Sequence, residues 1–265
     1  MQRSVSNDIR ICLQHVDKIF DASGGASVEA LSDANLEVAT NEVLCIVGPS
    51  GCGKSTLLNL IAGFLLPTSG QVLVDGRNVT GPGPDRAVVF QQDSVFPWLT
   101  VVQNLEYGPR ARGVAEAERK ARVAELLELV GLTEYRHLFP RQLSGGMKKR
   151  VDLARAYAND PEILLMDEPF GALDVFTKEK MQIELLRQWQ QRKRTIVFIT
   201  HDIEEAIFIG DRVVVMTPRP ARIAREFQVP FEKQSDGRVK TTQPFQQLRQ
   251  QIMDSLSQAE TIGAD

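Results

Sequence analysis

Cysteine is scarce in this sequence, and no long apolar run occurs. The 265 residues include three cysteines, Cys12, Cys45 and Cys52, with no CxxC pair and no metal-ligand spacing to the three histidines. These absences argue against a disulfide framework and against a structural zinc site. No segment approaches the roughly 18 apolar residues of a transmembrane helix. We therefore expect that another chain supplies any membrane-spanning part of its function.

An excess of positive charge is also absent. The formal net charge is −3 at pH 7, so the chain lacks the basic field that holds nucleic-acid phosphates, and we expect no nucleic-acid partner. The odd, sparse cysteine count suits a reducing cytosol, and the first residues show no apolar region of a secretory signal. With 43% hydrophobic and 25% charged residues, the composition indicates a globular domain with a real core.

The hydrophobic pattern changes character along the chain. Ile9, Ile11 and Leu13 alternate with other residues and predict a half-buried strand. Residues 21–27 (DASGGAS) predict a hairpin loop. Residues 43–47 form a continuous apolar run, typical of a strand covered on both faces, and residues 56–64 have helical spacing. Further strands are predicted at residues 72–74, 88–90, 163–166, 196–199 and 213–216.

The middle of the chain carries few strand signals. Residues 92–159 predict a helical subdomain inserted between strands of one sheet, and residues 115–130 within it form an amphipathic helix. After residue 230 a short tail remains. Its single helical stripe, formed by Phe245, Leu248, Ile252 and Leu256, predicts one helix packed on the body.

A glycine-rich loop follows the apolar run at residues 43–47. Residues 48–55 (GPSGCGKS) fit G-x-x-x-x-G-K-[ST] between a predicted strand and a predicted helix. Such a loop turns successive N–H groups toward one phosphate, and the helix dipole adds to the attraction. Lys54 would then bridge the β- and γ-phosphates, and the Ser55 hydroxyl would hold Mg²⁺. The alternative is a glycine-rich turn with an exposed lysine.

Two acids end another predicted strand. Asp167 and Glu168 follow the apolar residues 163–166, at the edge where open α/β sheets bind ligands. Asp167 would bind the Mg²⁺ shell, and Glu168 could accept a proton from an attacking water. The alternative is a pair of solvated acids.

A third motif offers a second anion site. Ser144, Gly145 and Gly146 precede a helical run and combine a hydroxyl, N–H groups and a helix N-terminus. Because one ATP already has its own phosphate loop, a second cradle suggests a site completed by another subunit. The alternative is a plain N-cap turn.

These motifs, in this order, resemble those of the ABC-family ATPases over about residues 9–225. The resemblance implies an α/β fold: a P-loop NTPase (RecA-like) core with an N-terminal antiparallel β subdomain and an inserted helical subdomain. The ATPase domain would span residues 8–230, with the helical subdomain at about 92–159 and the tail at 231–265. The nucleotide would be bound by Gly48, Pro49, Ser50, Gly51, Cys52, Gly53, Lys54, Ser55, Thr56, Ser144, Gly145 and Gly146.

The resemblance assigns further roles. Gln91 matches the Q-loop glutamine, which senses Mg²⁺ and the water, although Gln92 is an alternative. Asp174 lies in the D-loop at the dimer interface. His201 matches the switch histidine at the γ-phosphate, and Phe20 matches the aromatic that stacks on adenine. The alternatives are a surface amide, a structural cap and a core phenylalanine.

The chain departs from the commonest signature in one segment. Met147 replaces the usual glutamine, and residues 147–150 (MKKR) replace the more usual Gln-Arg pattern. We expect these changes to affect only the fine tuning of the helix. Cys52 is either a small filler or a redox switch within the loop.

Four segments carry a closer resemblance: residues 48–64 (GPSGCGKSTLLNLIAGF), 89–101 (VFQQDSVFPWLTV), 167–174 (DEPFGALD) and 198–216 (FITHDIEEAIFIGDRVVVM). In these segments the chain resembles the importers of nitrate, sulfonates, taurine and bicarbonate. This implies that ATP hydrolysis drives import by a homodimer of ATPase subunits bound to permease subunits, and indirectly to a periplasmic solute-binding protein. The location would be the cytoplasmic face of the inner membrane. Phe96, Pro97 and Trp98 would line a groove for the permease, or pack in the core. The rival functions are a soluble ABC ATPase acting on nucleic acid or ribosomes, and a regulatory module that binds nucleotide but hardly hydrolyses it.

Overall fold

A computed structural model describes residues 8–21, 27–231 and 237–262. The central residues 22–26 of the predicted hairpin loop lie outside this range. The strands are β1 (Ile9–Asp21), β2 (Ser27–Ala39), β3 (Val43–Val47), β4 (Ser69–Val74), β5 (Arg77–Asn78), β6 (Arg86–Val89), β7 (Ile163–Asp167), β8 (Thr195–Ile199), β9 (Arg212–Met216) and β10 (Ile223–Gln228).

The α-helices are α1 (Lys54–Ala62), α2 (Val101–Ala111), α3 (Glu116–Leu129), α4 (Gly145–Ala158), α5 (Val175–Gln191), α6 (Ile203–Ile209) and α7 (Gln243–Ile262). Short 3₁₀ helices occupy Thr133–Tyr135, Pro140–Gln142 and Gly237–Thr241. The chain divides into two compact units: the first comprises Met1–Gly83 and Lys193–Asp265, and the second comprises Pro84–Arg192.

The first unit contains an antiparallel sheet with strand order β2-β1-β4-β5. In β2 the buried residues Leu36 and Val38 alternate with exposed ones, because one face of the sheet is packed and the other is solvated. Asp17 joins three strands of this sheet: its carboxylate accepts from the Asp33 N–H at 2.7 Å and from the Ser69 hydroxyl.

The predicted first strand is present as β1, but its expected alternation is wrong: Ile9 is exposed, and Cys12 is buried together with Ile11 and Leu13. The pairing of β1 with β2 shifts register between Ile9 and Ile11.

Parallel strands form the second layer of this unit. β3 pairs in parallel with β8 and β9, and β10 pairs antiparallel with β9. All five residues of β3 and all five of β8 are buried, as expected for strands covered on both faces. Helix α1 contacts β8 and α6 contacts β3 and β9, so the loop after β3 lies at the carboxyl end of buried parallel strands.

Helix α7 packs on α6, β9 and β10. Its predicted stripe is observed, since Phe245, Leu248 and Ile252 are buried and Leu256 is half-buried. Each such side chain contributes about 1.5–3 kcal/mol when fully removed from water. Arg249 pairs with Glu204 of α6 at 3.1 Å, which adds a polar contact at the edge of the apolar stripe.

The second unit contains the parallel pair β6 and β7. Between these strands the chain is helical, with α2, α3 and α4 in mutual contact. The predicted amphipathic helix is α3, whose buried face consists of Val123, Leu126 and Leu127. Helix α2 begins with a reciprocal capping box between Thr100 and Gln103. Antiparallel and parallel strands combined with helices confirm the predicted α/β class.

Candidate functional site

The phosphate loop connects β3 to α1 in the first unit. Gly51 and Gly53 have φ values of 73° and 128°, which side-chain-bearing residues rarely adopt. A Cβ on Gly53 would lie 2.9 Å from the carbonyl oxygen of Ala30. Backbone conformation and close packing therefore both require glycine at position 53.

Helix α1 begins without a side-chain cap, because its N-cap residue is Gly53. Four other helices carry a capping side chain: Thr100 for α2, Ser144 for α4, Asp174 for α5 and Asp202 for α6. The first N–H groups of a helix have no partner within the helix. An uncapped start behind a glycine loop suits a bound anion, so the residues present fit a nucleotide phosphate.

Lys54 lies inside this loop. Its side chain is buried, and its ammonium donates to the carbonyl oxygens of Gly48 and Pro49, each at 2.8 Å. A cation is thereby held among the loop's own main-chain groups, which excludes the alternative of an exposed lysine. Ser55 is exposed directly after it, and Thr56 is half-buried.

Cys52 fills space within the same loop. Its thiol is buried and lies 3.9 Å from the Lys54 Nζ, and a Cβ on Gly48 would lie 3.1 Å from its sulfur. This packing favours the filler interpretation of Cys52. The thiols of Cys12 and Cys45 are buried as well.

His201 follows the end of β8 and is exposed. The turn that carries it is fixed by its neighbours: the Thr200 hydroxyl donates to the buried Glu205 carboxylate and accepts from the Asp202 N–H at 3.0 Å. Asp202 in turn caps α6 through the Glu205 N–H at 3.2 Å. The imidazole is therefore presented by a rigid turn.

Phe20 lies near the end of β1. It is 37% exposed, and the Lys18 ammonium lies 5.1 Å from its ring centroid. The core alternative for Phe20 is therefore wrong. An exposed aromatic ring is available for stacking.

In the second unit, β7 ends at the buried Asp167. Glu168, the next residue, has φ 46°. A non-glycine residue in this region costs of order 1–3 kcal/mol, and such residues cluster at functional sites.

Gln91 lies beside Glu168. Its amide Nε2 donates to the Glu168 Oε2 at 3.3 Å, so the structure brings two of the predicted catalytic side chains together. Gln92 is exposed. Of the two candidate glutamines, Gln91 is the one with a described contact to the predicted base.

The serine–glycine turn begins α4. The Ser144 hydroxyl accepts from the Met147 N–H at 3.3 Å, so the plain N-cap role is present in this structure. Ser144 and Gly145 are nevertheless exposed, while a Cβ on Gly146 would lie 3.5 Å from the Leu173 side chain. The turn is open on one side and packed on the other.

Asp174 caps α5 through the Thr177 N–H at 3.1 Å. Hydrogen bonds from Thr177, through its side chain and its N–H, lower the pKa of Asp174 below its ordinary value. Val175 and Phe176, directly after it, are strongly exposed. An exposed apolar pair at a helix start is typical of a contact surface.

Sequence reasoning missed one polar cluster in the second unit. Lys149 of α4 is 1% exposed, and its ammonium donates to the main-chain oxygens of Phe90 and Gln91, the latter at 3.1 Å. Asp152, one turn further along, is also buried. The departure from the family signature at residues 147–150 was the available sequence signal. Because Lys149 contacts residues outside α4, the expectation that this departure affects only the helix is too narrow.

The predicted site residues thus fall into two groups. The loop residues 48–56, Phe20 and His201 belong to the first unit; Gln91, Ser144–Gly146, Asp167, Glu168 and Asp174 belong to the second. The donors proposed for Mg²⁺ are the Ser55 hydroxyl, the Gln91 amide and the Asp167 carboxylate, which are hard oxygen ligands of the kind Mg²⁺ prefers. Within residues 8–21, 27–231 and 237–262, no cluster of three or more His, Cys, Asp or Glu could hold a metal alone.

The loop between a buried parallel strand and an uncapped helix, enclosing a lysine, defines a P-loop nucleoside-triphosphate-binding protein. The profile of the family described as "ABC transporter" matches residues 31–171. The chain belongs to the ABC transporter family, and its enzymatic class is ATPase.

Curated relatives match over nearly the whole chain. The taurine import ATP-binding proteins of Jannaschia sp. and Pelagibacter ubique are each 44% identical; they cover 92% and 95% of this chain, and 92% and 97% of their own lengths. An uncharacterized ABC transporter ATP-binding protein of Methanocaldococcus jannaschii is 46% identical over 94% of this chain and 91% of its own length.

Solved structures share the fold. A dimeric ATP-binding cassette in a post-hydrolysis state, bound to ADP and Pi, has a TM-score of 0.75 and 33% identity. A dimeric bacterial ABC transporter cassette has a TM-score of 0.76 and 34% identity. Each match covers 84% of this chain and 100% of the solved chain. Among the helices that the structure describes here, none is both long and apolar enough to cross a bilayer.

Proposed function

We propose that this chain hydrolyses ATP to drive import of a small sulfonate of the taurine type, as a subunit of an ABC transporter that also contains permease subunits. Relatives named as taurine import ATP-binding proteins, with identities of 44% over most of the chain, support this choice. The observation that carries the nucleotide part is Lys54, held inside the glycine loop before the uncapped α1.

The substrate ATP is bound first. The N–H groups of the loop and of α1 donate hydrogen bonds to the phosphate oxygens, and Lys54 neutralises part of their charge. Phe20 offers its exposed ring to the adenine. When bound, Mg²⁺ would be held by Ser55, Gln91 and Asp167 and would neutralise charge on the phosphate oxygens.

Hydrolysis then requires an activated water. Glu168 removes a proton from the water as its oxygen attacks the γ-phosphorus, and the bond from that phosphorus to the bridging oxygen of ADP breaks. The products are ADP and inorganic phosphate. Gln91 orients the water through its contact with Glu168, and His201 stabilises charge on the transferring group.

A second copy of the chain completes the cycle. We assign Ser144, Gly145 and Gly146 to the γ-phosphate of the partner copy's nucleotide, and Asp174 to the interface between the copies. The exposure of Ser144 and Gly145 supports this assignment, as does the dimeric state of the two solved cassettes. Closing and opening of the pair would follow ATP binding and hydrolysis.

Aromatic residues of the second unit form the proposed permease contact. Trp98 is 68% exposed, and the Phe96 ring lies 5.5 Å from the Trp98 ring and 4.7 Å from the Tyr107 ring. The core alternative does not hold for Trp98. An exposed aromatic cluster favours a partner surface, which would place the chain at the cytoplasmic face of the membrane, with the periplasmic solute-binding protein reached only through the permease.

Reconstitution tests this function. The chain, its permease and its solute-binding protein are placed in proteoliposomes with ATP on the side of the ATPase, and uptake of taurine, nitrate and bicarbonate is compared. Taurine uptake that requires ATP and is lost with Glu168→Gln supports the proposal. Preferential nitrate or bicarbonate uptake would overturn the sulfonate choice, and ATPase activity that responds to RNA but not to the permease would favour the soluble alternative.

A further inference from the structure

The buried ammonium of Lys149 holds the main chain of the residue whose side chain touches the predicted base. We propose that Lys149 is a positioning residue for ATP hydrolysis: it fixes the backbone of Phe90 and Gln91 so that the Gln91 amide stays at Glu168. This inference rests on the proposed roles of Gln91 and Glu168, and it adds Lys149, a residue to which none of the motifs above assigns a role.

Lys149 binds the backbone of the segment after β6 at two points. Its ammonium reaches two successive carbonyl oxygens, those of Phe90 and Gln91, at the point where β6 has ended. The side-chain amide of the same residue, Gln91, donates to the Glu168 carboxylate at 3.3 Å. The side chain of Gln91 is exposed, so its own packing does not fix its direction. The restraint comes from the main chain.

The surroundings of Lys149 are acidic as well as buried. Burial lowers the pKa of Lys149 below its ordinary value, while the charges of Asp152, Asp93, Asp167 and Glu168 act in the opposite direction. A buried cation without compensation is costly. Lys149 is retained among carboxylates that include both predicted strand-end acids, so its charge also acts on the groups that carry out the reaction.

A second group of contacts from α4 holds Ser94, three residues after Gln91. The Asp152 carboxylate accepts from the Ser94 N–H at 2.8 Å and from the Ser94 hydroxyl at 2.9 Å. Arg155 donates to the Ser94 carbonyl oxygen at 2.6 Å and to Asp152 at 2.9 Å. Helix α4 therefore fixes residues 90–94 at both ends, and the segment that carries Gln91 is tied to the helix that Ser144 caps.

A lysine with a purely structural role would also be buried, and its ammonium would also have hydrogen-bond partners. The two roles differ in one respect: a positioning residue acts through Gln91, so its loss has no further effect once the Gln91 side chain is gone. Independent contributions multiply in the rate, whereas residues in one network do not. A double-mutant cycle between Lys149 and Gln91 therefore separates the roles.

The experiment compares Lys149→Met, Gln91→Ala and the double variant in the full-length chain, with ATPase rate and ATP affinity measured separately. Lys148→Met is the matched control, because Lys148 is the neighbouring lysine and is only half-buried. We expect Lys149→Met to lower kcat about tenfold or more, as for loss of a supporting contact, with ATP affinity unchanged. In the Gln91→Ala background the same change has no further effect, and Lys148→Met retains the parent rate.

Two outcomes would overturn the inference: Lys149→Met and Lys148→Met with the same rate, or a double variant whose loss is the product of the single losses. Where Lys149→Met does not fold, Lys149→Gln enters the same cycle. Because Gln keeps a hydrogen-bond donor on a shorter side chain, we expect a smaller loss of kcat, which again has no further effect in the Gln91→Ala background. Failure of the proposed role of Glu168 is a separate result, since it requires that Glu168→Gln turn over ATP at the parent rate. If Glu168→Gln is inactive while the losses at Lys149 and Gln91 multiply, the positioning role of Lys149 is rejected and the role of Glu168 stands.

Discussion

The Gln91 amide lies 3.3 Å from the Glu168 carboxylate, and Glu168 has a backbone φ of 46°. The contact joins the segment after β6 to the end of β7. The hydrogen bond from Gln91 restrains the Glu168 carboxylate relative to the segment after β6. Such preorganisation is the usual basis of a fast chemical step.

Replacing Glu168 by Gln removes the proposed base while keeping the size of the side chain. We expect kcat for ATP hydrolysis to fall by about 10²–10⁴, with ATP still bound, so that an ATP-bound dimer accumulates. Single-turnover assays and size-exclusion chromatography measure the two effects. Glu179→Gln, at an exposed position of α5, is the control. Parent-rate turnover by Glu168→Gln would reject the assignment of the base.

Replacing Lys54 by Ala removes the cation that the loop encloses. A charge-assisted contact is worth about 1.5–3 kcal/mol, so we expect ATP affinity to fall about 10- to 100-fold or more, which is measurable with a fluorescent ATP analogue. Lys180→Ala removes one charge at an exposed position of α5 and serves as the control. Equal affinity of the Lys54 variant and the parent would contradict the phosphate-loop interpretation.

Replacing Gly53 by Ala tests the close packing of the loop. The added Cβ meets the Ala30 carbonyl oxygen at 2.9 Å and requires φ 128°. Gly76→Ala is a matched control, because Gly76 also has positive φ but nothing within 4 Å of the added atom. We expect the Gly53 variant to lose at least about 1 kcal/mol more in the free energy of unfolding than the control, as measured with urea. Equal losses would show that the contact relaxes without cost.

Asp17 provides a test in acid. The Asp33 N–H and then the Ser69 hydroxyl lower the pKa of Asp17 below its ordinary value of 3.8. The folded state therefore binds this proton less tightly than the unfolded state. The ionised Asp17 carboxylate therefore contributes fully to the free energy of unfolding above pH 3.8. This contribution is lost as the pH falls through the lower pKa that Asp17 has in the folded state.

Asp17→Asn should therefore be less stable than the parent near neutral pH, and the difference should narrow as the pH falls below 4. Urea unfolding at a series of pH values measures this difference. Asp8→Asn, at an exposed position, removes a carboxylate outside this network as a control. A gap between Asp17→Asn and the parent that stays constant down to pH 2 would contradict the assigned interactions.

Patterns that depend on neighbouring residues were readable from the sequence. The run at residues 43–47 predicted β3 because a strand buried on both faces has no polar positions. The stripe of Phe245, Leu248 and Ile252 predicted α7 because the helical period places these residues on one face. The phosphate loop was predicted because its glycines and Lys54 are local requirements.

Features that depend on distant contacts were not readable. Lys149 lies in a helix, where a lysine is usually solvated, and only the fold brings Phe90 and Gln91 to its ammonium. Sequence alone also left Trp98 between core and surface, since an aromatic residue suits either. The left-handed conformation of Glu168 had no signal, because side-chain-bearing residues adopt it rarely.

The burial of Cys12, Cys45 and Cys52 makes this chain well suited to spectroscopic labelling. With its native sulfur atoms shielded, a cysteine placed at the 69%-exposed position of Val175 would be the preferred point of attachment for a maleimide dye or a nitroxide. One such label on each copy would turn the approach and separation of two subunits during the nucleotide cycle into a distance that can be followed in real time.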